Sequence, residues 1–366
     1  MWDNEPTMRL RSDSGTAPYK DISILKPSKG TNLLGADITI DDKEASAGTV
    51  NIEYAEDGII RKRPGYETVG TGLVNKAKGI GVFMSENNRY PMTSDGGIVK
   101  RLTGGSWSQV AGSVTLDPLA DISFTALDGK TYVWDGVSGG VVWDNASLTR
   151  PGTMPRAKFS VVYKGYHVAS GVDGQPFRVY FAPPKEPSRF TNNVAPTDPD
   201  DVAVNDAANV PGATVFTGNN SGQRAIDINR NDGEKVIGLG FFQDVLIILK
   251  EQSIYQLYFN ADNKFVVERI SSSYGCVAHA TVVSVENDMY FLSDNGVYVL
   301  GNEPNYYAAI RTNELSSRMK PLLQPMSAEH RSRASATYFD DRYFLTIPSG
   351  SPELNTMIVY DRRLLS

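Results

Sequence analysis

The sequence predicts an all-β protein of the β-propeller class, and three observations point to that class. Six segments within residues 75–366 share one outline: an apolar strand, a polar turn, a strand ending in aromatic residues, a second turn and another strand. Most of these segments recur after about 40 residues, which is the period of a propeller blade. The chain also contains 33 Gly and 20 Pro, as expected for many short strands joined by turns.

The turns carry the strongest signal for hairpins. Asp-Gly and Asn-rich pairs separate the apolar runs, and such residues accept the positive φ angles that type I′ turns require. The predicted first turns of the six segments lie at Asn87-Asn88, Asp128-Gly129, Lys164-Gly165, Gln243-Asp244, around Asn287, and at Asp340-Asp341. A β-sandwich or two stacked β-domains with similar hairpins is the alternative fold, and the segments do not fix the number of blades.

The chain divides into three regions around this repeat. Residues 1–30 are polar and aperiodic, which predicts an extended or disordered N-terminal arm that would pack on a neighbouring subunit. Residues 31–74 form an N-terminal β segment that leads into a propeller over residues 75–366. Residues 191–233 are rich in Asn, Asp, Pro and Gly, and we interpret them as one long inter-blade insertion suited to subunit or target contacts.

Two further features concern the last part of the chain. The stretch "TNELSSRMKPLL", residues 312–323, is the best helical candidate, with Thr312 or Asn313 as the cap and Pro321 limiting it. The sequence stops at "IVYDRRLLS", directly after a strand. We therefore expect the last blade to be closed by a strand from the N-terminal part or by residues beyond this sequence.

Composition excludes several functional classes. A net charge of −6 argues against a protein that grips DNA or an anionic membrane through a basic face. The lone Cys276 cannot form an internal disulfide and is typical of folding in a reducing cytoplasm. No run of 18 apolar residues occurs, so no membrane span is expected, and the N-terminus has no apolar run typical of a signal peptide.

Candidate catalytic residues have structural explanations. His167, His279 and His330 are isolated in the sequence, and His279 near Cys276 forms neither a nucleophile dyad nor a metal site without distant partners. Four acids, at the positions where hairpin turns favour Asp, could instead belong to a hydrolase site: Asp128, Asp173, Asp294 and Asp340. No pair among them is identified by the sequence.

Two motifs resemble ligand sites only in part. Asp227, Asn229 and Asn231 occupy positions 1, 3 and 5 of a calcium-loop pattern, but the glycine and the bidentate acid are misplaced, which favours an Asx-closed turn. The triplet Arg61-Lys62-Arg63 is too small for a nucleic-acid patch. The sequence therefore predicts no catalytic, cofactor-binding or metal-binding residues, and a protein that is not an enzyme.

Three stretches resemble one family of virion proteins. Residues 32–70 contain the segment "GIIRKRPGY", residues 174–190 contain "PFRVYF" followed by a Pro-rich turn, and residues 271–301 contain "FLSDNGVY". In the first stretch the match falls on Glu44, Asn51, Asp57, Gly58, Arg61, Arg63, Pro64, Gly65 and Tyr66. These stretches are similar to the propeller-containing tail proteins of short-tailed bacteriophages, namely the nozzle (tail tubular protein B) and the tail hub that stabilises packaged DNA.

The resemblance implies a structural virion protein of the tail, assembled in the host cytoplasm. Identical subunits would form a homo-oligomeric ring below the portal and adaptor, and double-stranded DNA would be retained above the ring and pass through it without sequence-specific binding. Two alternatives remain open. One is a receptor- or glycan-binding propeller using Trp107, Trp134 or Trp143, for which core packing is the structural explanation. The other is a polysaccharide hydrolase propeller.

Overall fold

A computed structural model describes residues 51–54, 60–63, 65, 67–190, 213–215, 225–259, 265–302 and 310–362. The predicted arm, residues 1–30, lies outside the described residues. Six antiparallel sheets follow one another along the chain. The first strands of consecutive sheets lie side by side, so the sheets are the blades of a β-propeller. This confirms the predicted all-β propeller and gives it six blades.

A short hairpin precedes the blades, formed by β1 (Ile52–Tyr54) and β2 (Ile60–Lys62). The first three blades consist of the following strands. Blade 1 contains β3 (Ala77–Met84), β4 (Arg89–Asp95), β5 (Ile98–Thr103) and β6 (Ser106–Gln109). Blade 2 contains β7 (Ser123–Leu127), β8 (Lys130–Trp134), β9 (Val141–Trp143) and β10 (Leu148–Thr149). Blade 3 contains β11 (Phe159–Tyr163), β12 (Tyr166–Ser170), β13 (Arg178–Ala182), β14 (Ala213–Val215) and β15 (Ala225–Ile228).

The strands of the last three blades are hydrogen-bonded in chain order. Blade 4 contains β16 (Val236–Phe242), β17 (Val245–Lys250), β18 (Ile254–Phe259) and β19 (Phe265–Ser271). Blade 5 contains β20 (Val283–Val285), β21 (Asp288–Ser293), β22 (Gly296–Asn302) and β23 (Ile310–Glu314). Blade 6 contains β24 (Ser335–Phe339), β25 (Arg342–Ile347) and β26 (Thr356–Asp361). The strand expected to close blade 6 is not among the described strands.

The first turns of blades 2 to 6 share one backbone conformation. Each begins with a residue other than glycine in the left-handed region, with φ between 46° and 52°. These residues are Asp128, Lys164, Gln243, Glu286 and Asp340. Positive φ matches the right-handed twist of the flanking strands in two-residue hairpins. The turn prediction is therefore confirmed at these positions.

Hydrophobic cores lie between consecutive blades. Alternate residues of each strand point to opposite faces of a blade, so each blade can contribute apolar side chains to two neighbours. Five buried clusters result, one each between blades 1 and 2, 2 and 3, 3 and 4, 4 and 5, and 5 and 6. Phe83 and Trp143 meet between blades 1 and 2, and Tyr290 and Tyr343 meet between blades 5 and 6.

Two sequence predictions need correction. The helix predicted over residues 312–323 is largely wrong, since residues 310–314 form β23 and only a single helical turn, α1 (Lys320–Leu323), follows, with Pro321 near its start. Residues 191–233 were interpreted as an inter-blade insertion, but of their described part only residues 229–233 connect two blades, blades 3 and 4. Strands β14 and β15 belong to blade 3, and β15 pairs directly with β13.

Within the described residues, no helix has the length and apolar character needed to cross a membrane. Helices contribute little to the fold as a whole, because α1 and a few 3-10 turns are the helical elements of the described chain. Turns and connections between strands therefore form much of the accessible surface, and such segments commonly carry functional sites.

Candidate functional site

The buried titratable residues belong to the cores. His167 Nε2 lies 2.9 Å from Ser160 Oγ, and its Nδ1 lies 2.7 Å from the carbonyl oxygen of Pro187. Burial lowers the pKa of His167 to about 4, so the ring is neutral at pH 7. The ring also packs against Tyr132 and Trp134. These contacts give His167 a structural role, as predicted.

Cys276 and His279 do not form a catalytic pair. Burial raises the pKa of the Cys276 thiol to about 12, and its sulfur lies 3.3 Å from the carbonyl oxygen of Ala278. His279 accepts a hydrogen bond from the Leu239 backbone N–H and stacks on Phe159. Burial lowers the pKa of His279 to about 4. A protonated thiol is a weak nucleophile, so this pair lacks the thiolate that such chemistry needs.

A lysine ammonium occupies the turn that resembles a calcium loop. The Lys250 side chain is fully buried, and its Nζ lies 2.5 Å from Asp232 Oδ1, 3.1 Å from the carbonyl oxygen of Ile228 and 3.3 Å from that of Asn229. Asp227, the first residue of the pattern, pairs instead with Arg178. The positive charge that a metal ion would supply is thus provided by the chain itself.

The four turn acids are spread over different blades. Asp173 lies 2.8 Å from Lys158 Nζ, Asp294 pairs with Arg331, and Asp340 lies 2.9 Å from Arg342 Nη2. Asp128 begins its hairpin turn with φ 52°. Each acid therefore has a local role, and the described contacts do not bring two of them together. No group of three or more His, Cys, Asp or Glu residues suited to a metal is found in the part of the chain described.

The tryptophans considered for glycan binding are structural. Trp134 and Trp143 are fully buried in the clusters between blades. Trp107 donates a hydrogen bond from Nε1 to the carbonyl oxygen of Val69, and its backbone pairs with Thr71. Trp107 thereby fixes the segment that precedes blade 1, and the rings of Trp134 and Trp143 are not accessible to a glycan.

A cleft of ligand size lies between blades 2 and 3. Its volume is about 560 Å³, which is within the usual range for small-molecule sites. The connection between the two blades, residues 150–156, forms one wall, and residues 172–175 form the other. Tyr180 lies at the base, where it is almost fully buried and donates a hydrogen bond to Gln175 Oε1.

Sequence reasoning missed the two arginines of this cleft. Arg150 Nε and Nη2 donate to the carbonyl oxygens of Gly139 and Thr115, at 3.1 Å and 2.9 Å, which fixes its guanidinium plane. Arg156 lines the same wall. The available signal was the stretch "RPGTMPR", in which two arginines flank a Pro- and Gly-containing connection. Such a loop has no periodicity, so the repeat pattern does not indicate it.

A second candidate surface is the seam between blades 6 and 1. Five of the six inter-blade positions have a buried apolar cluster, and the described residues form none at the sixth. On β3, the face turned away from blade 2 carries three exposed apolar side chains, Ile80, Val82 and Met84. On blade 6, the face turned away from blade 5 carries the exposed side chains of Phe339, Met357 and Val359. We call these two faces the open seam.

Polar contacts at the rim hold the two sides of the open seam near each other. Lys76 Nζ lies 2.5 Å from Glu353 Oε1, and Arg63 Nη1 lies 3.6 Å from Met357 Sδ. Arg63 directly follows β2, so the N-terminal hairpin approaches the open face of blade 6. The Lys76–Glu353 pair is well exposed, and such pairs contribute little stability. The rim therefore aligns the blades without replacing the missing apolar core.

No protein-family model matches the chain, and no curated protein matches it significantly. Solved structures with similar architecture include the extracellular domain of the one component system BT4673 from B. thetaiotaomicron, at 9% identity and a TM-score of 0.45. That match covers 76% of this chain and 32% of the other, so this chain spans well under half of it. YCF48 from Cyanidioschyzon merolae is 11% identical over 80% of this chain and 87% of its own, with a TM-score of 0.42.

The gluconolactonase XC5397 from Xanthomonas campestris is also similar, at 13% identity, with 76% of this chain and 84% of that chain covered and a TM-score of 0.38. Similarity at this level does not assign a function. The propeller assignment rests on the strand order and the contacts between blades within this chain.

Proposed function

We propose that this propeller is a non-catalytic assembly protein that binds a neighbouring copy of the chain at its open seam. One observation carries the proposal: apolar side chains are exposed on the two blade faces of the open seam. The corresponding faces at the other five inter-blade positions are buried. Ile80 and Phe339 are 77% and 73% exposed, respectively. Contiguous exposed apolar surface on a soluble protein marks an interaction site, because covering it releases ordered water.

The geometry of such a contact favours a ring. The seam is a single surface on each chain, and the segment that fills it would come from a different surface of the next chain. Contacts of this head-to-tail kind produce closed rings when the rotation between copies closes. A ring also agrees with the stretches that resemble bacteriophage tail nozzles and hubs. In this proposal residues 1–30 and 191–233 contribute to subunit contacts.

In the virion, the ring would surround the DNA channel, below the portal and adaptor. It would retain packaged DNA and let it pass during ejection. The net charge of −6 supports this role, because an acidic wall does not hold the phosphate backbone. The neutral imidazoles of His167, which is buried, and His279, which is partly buried, agree with a structural role, as does the raised pKa of the Cys276 thiol.

Sedimentation of the purified chain tests the proposal. Val82→Lys and Phe339→Lys place a charge on either side of the open seam, and we expect each to convert a ring into monomers. Leu119→Lys is the matched control, because Leu119 is 85% exposed but lies away from the seam, in the connection between blades 1 and 2. All three substitutions are at exposed positions, so thermal stability is expected to change by less than about 0.5 kcal/mol.

Two results would contradict the assembly proposal. A wild-type chain that stays monomeric at all concentrations and does not join tail particles has no such function. A ring that persists in both seam variants assembles through another surface. Imaging of particles then decides whether density for the chain lies on the tail axis.

The cleft between blades 2 and 3 favours a second candidate function, recognition of a glycan or another surface receptor. Pockets that combine apolar walls with a few fixed polar groups are typical ligand sites. A hydrolase is less well supported there, because the described lining of the cleft contains one carboxylate, that of Asp173, and glycoside hydrolysis generally uses two. Binding of host-surface polysaccharide by the purified chain, with no release of reducing ends, is the expected result for this candidate.

A further inference from the structure

We infer that the cleft between blades 2 and 3 binds an anionic saccharide, with Arg150 and Arg156 holding its carboxylate. This inference deepens the second candidate function, glycan recognition, and rests on it. The argument uses four features of the cleft: its local charge, the fixed position of one guanidinium, the free donors of the other, and the chemical nature of the walls.

The cleft is positively charged in an acidic protein. Arg150 and Arg156 line it, and Lys158 lies beside it. Asp173 is the one carboxylate among the described residues that line the cleft, and it lies 2.8 Å from the Lys158 ammonium, which neutralises it in part. The two arginines are therefore the uncompensated charges, whereas the chain as a whole carries −6. A local charge opposite to the net charge selects an anionic ligand.

The two guanidinium groups differ in freedom. Two carbonyl oxygens orient Arg150, which leaves its remaining N–H groups for a ligand at little further cost in side-chain entropy. Arg156 is exposed and has no hydrogen-bond or ion-pair partner within the described residues. A planar guanidinium pairs with a carboxylate through two parallel hydrogen bonds, so the arginines suit a planar carboxylate group.

The remaining walls suit a sugar ring. Pro151, Pro155, Met154 and Val172 supply apolar surface for the C–H face of a pyranose. Gln175 is fixed through its Oε1 by the Tyr180 hydroxyl, so its amide N–H groups can donate to a ligand oxygen. Sugar hydroxyl groups need both donors and acceptors, and the Asp173 carboxylate provides the acceptor. A simple inorganic anion would leave the apolar wall and this acceptor unused.

The base of the cleft is rigid. Arg178, two residues before Tyr180 on β13, forms a buried ion pair with Asp227, in which Nε–Oδ1 is 2.6 Å and Nη2–Oδ2 is 3.2 Å. The Ser170 hydroxyl donates to the Arg178 carbonyl oxygen at 2.7 Å. A rigid base holds Tyr180 and Gln175 in place before the ligand arrives, which reduces the entropic cost of binding.

Calorimetric titration of the full chain with a galacturonic acid trisaccharide tests the inference, with maltotriose as the neutral comparison. We expect the acidic trisaccharide to bind and the neutral one to bind at least about tenfold more weakly, because a charged hydrogen bond contributes roughly 1.5–3 kcal/mol. Affinity should fall as salt is raised, because the cleft is open to solvent and its charges are screened.

Arg156→Gln and Arg150→Gln are the informative variants. Each should weaken binding of the acidic trisaccharide by about fivefold or more while leaving maltotriose unaffected. Lys130→Gln is the matched control, since it removes one positive charge from an exposed position of blade 2 that does not line the cleft. Arg156 is exposed and unpaired within the described chain, so its variant should keep the wild-type unfolding temperature.

Several outcomes would overturn the inference. Equal binding of both trisaccharides would leave glycan recognition in place but refute selection of the carboxylate. Equally tight binding of inorganic phosphate or of a Glu-rich peptide would replace the saccharide with a general anion or an acidic protein segment. An equal loss in Lys130→Gln would assign the effect to overall charge. No binding of either trisaccharide would remove both the inference and the glycan candidate, whereas the ring proposal depends only on the sedimentation result.

Discussion

Single residues in this propeller show how buried charge is managed. Lys250 places its ammonium among two carbonyl oxygens and an Asp232 carboxylate oxygen, and both Asp227 oxygens accept from the Arg178 guanidinium, so each of these buried cations faces a carboxylate. Burial without such partners would cost several kcal/mol. The histidines avoid the free-energy cost of burying a charge, because they remain neutral. This difference between cations that keep their charge and imidazoles that lose it has a measurable effect on stability.

We predict that stability falls as the pH is lowered from about 6.5 to about 4. The folded-state pKa values of His167 and His279 are about 4, below the usual value of 6.5. In that window the unfolded chain binds more protons than the folded one, so the free energy of unfolding decreases with falling pH. Each histidine contributes on the order of 3 kcal/mol across the window, and neither contributes pH dependence above it.

Thermal unfolding between pH 7 and pH 4 measures this effect. His167→Gln should flatten the dependence, because one of the two proton-linked groups is gone. Val168→Ala is the control, since it removes buried apolar atoms next to His167 without a titrating group and should lower stability equally at each pH. Parallel curves for the wild type and His167→Gln would refute the assignment.

At the scale of elements, the hairpins were predictable and the irregular segments were not. A residue pair such as Asp128-Gly129 favours a turn by itself, because both residues accept positive φ, so the sequence alone predicts the turn. Thr312 and Asn313 favour a helix cap locally, but pairing of β23 with β22 overrides that preference. Strand β15 was missed because four residues in a polar region carry little pattern. Arg150 and Arg156 were missed because the sequence of an irregular loop does not show which residues of other segments lie next to it.

The hairpin between β16 and β17 offers a direct test of turn chemistry. Gln243 has φ 50°, which costs an ordinary side chain some strain, whereas Asn is well tolerated there. We expect Gln243→Asn to raise the free energy of unfolding by about 0.5 kcal/mol, as measured by denaturant titration. Gln324→Asn, at φ −58°, makes the same chemical change in an ordinary backbone and should not stabilise the protein. Equal effects of the two substitutions would contradict this explanation.

At the scale of the whole molecule, the propeller fold followed from the repeat, but the open seam did not. The apolar pattern of β3 and β26 resembles that of other strands, so the sequence predicts a buried face for both. Val82 and Val359 are exposed because of how blades 1 and 6 lie relative to each other, which the pattern of a single strand does not contain. Only the three-dimensional structure shows that the described residues form an apolar cluster at five inter-blade positions and none at the sixth.

Within the described residues, five cores join the six blades, so in energetic terms the blades form a linear series of units with two ends. In such nearest-neighbour systems the terminal units are held on one side only and open before the middle ones. We expect amide hydrogens of residues 77–109 and 335–361 to exchange faster than those of residues 236–271, whose blade has cores on both sides. Uniform protection across all blades would refute this. A partner that fills the open seam would contact blades 1 and 6 together. Amide exchange in both blades would then slow at the same time, so the exchange rate of these two blades would report assembly.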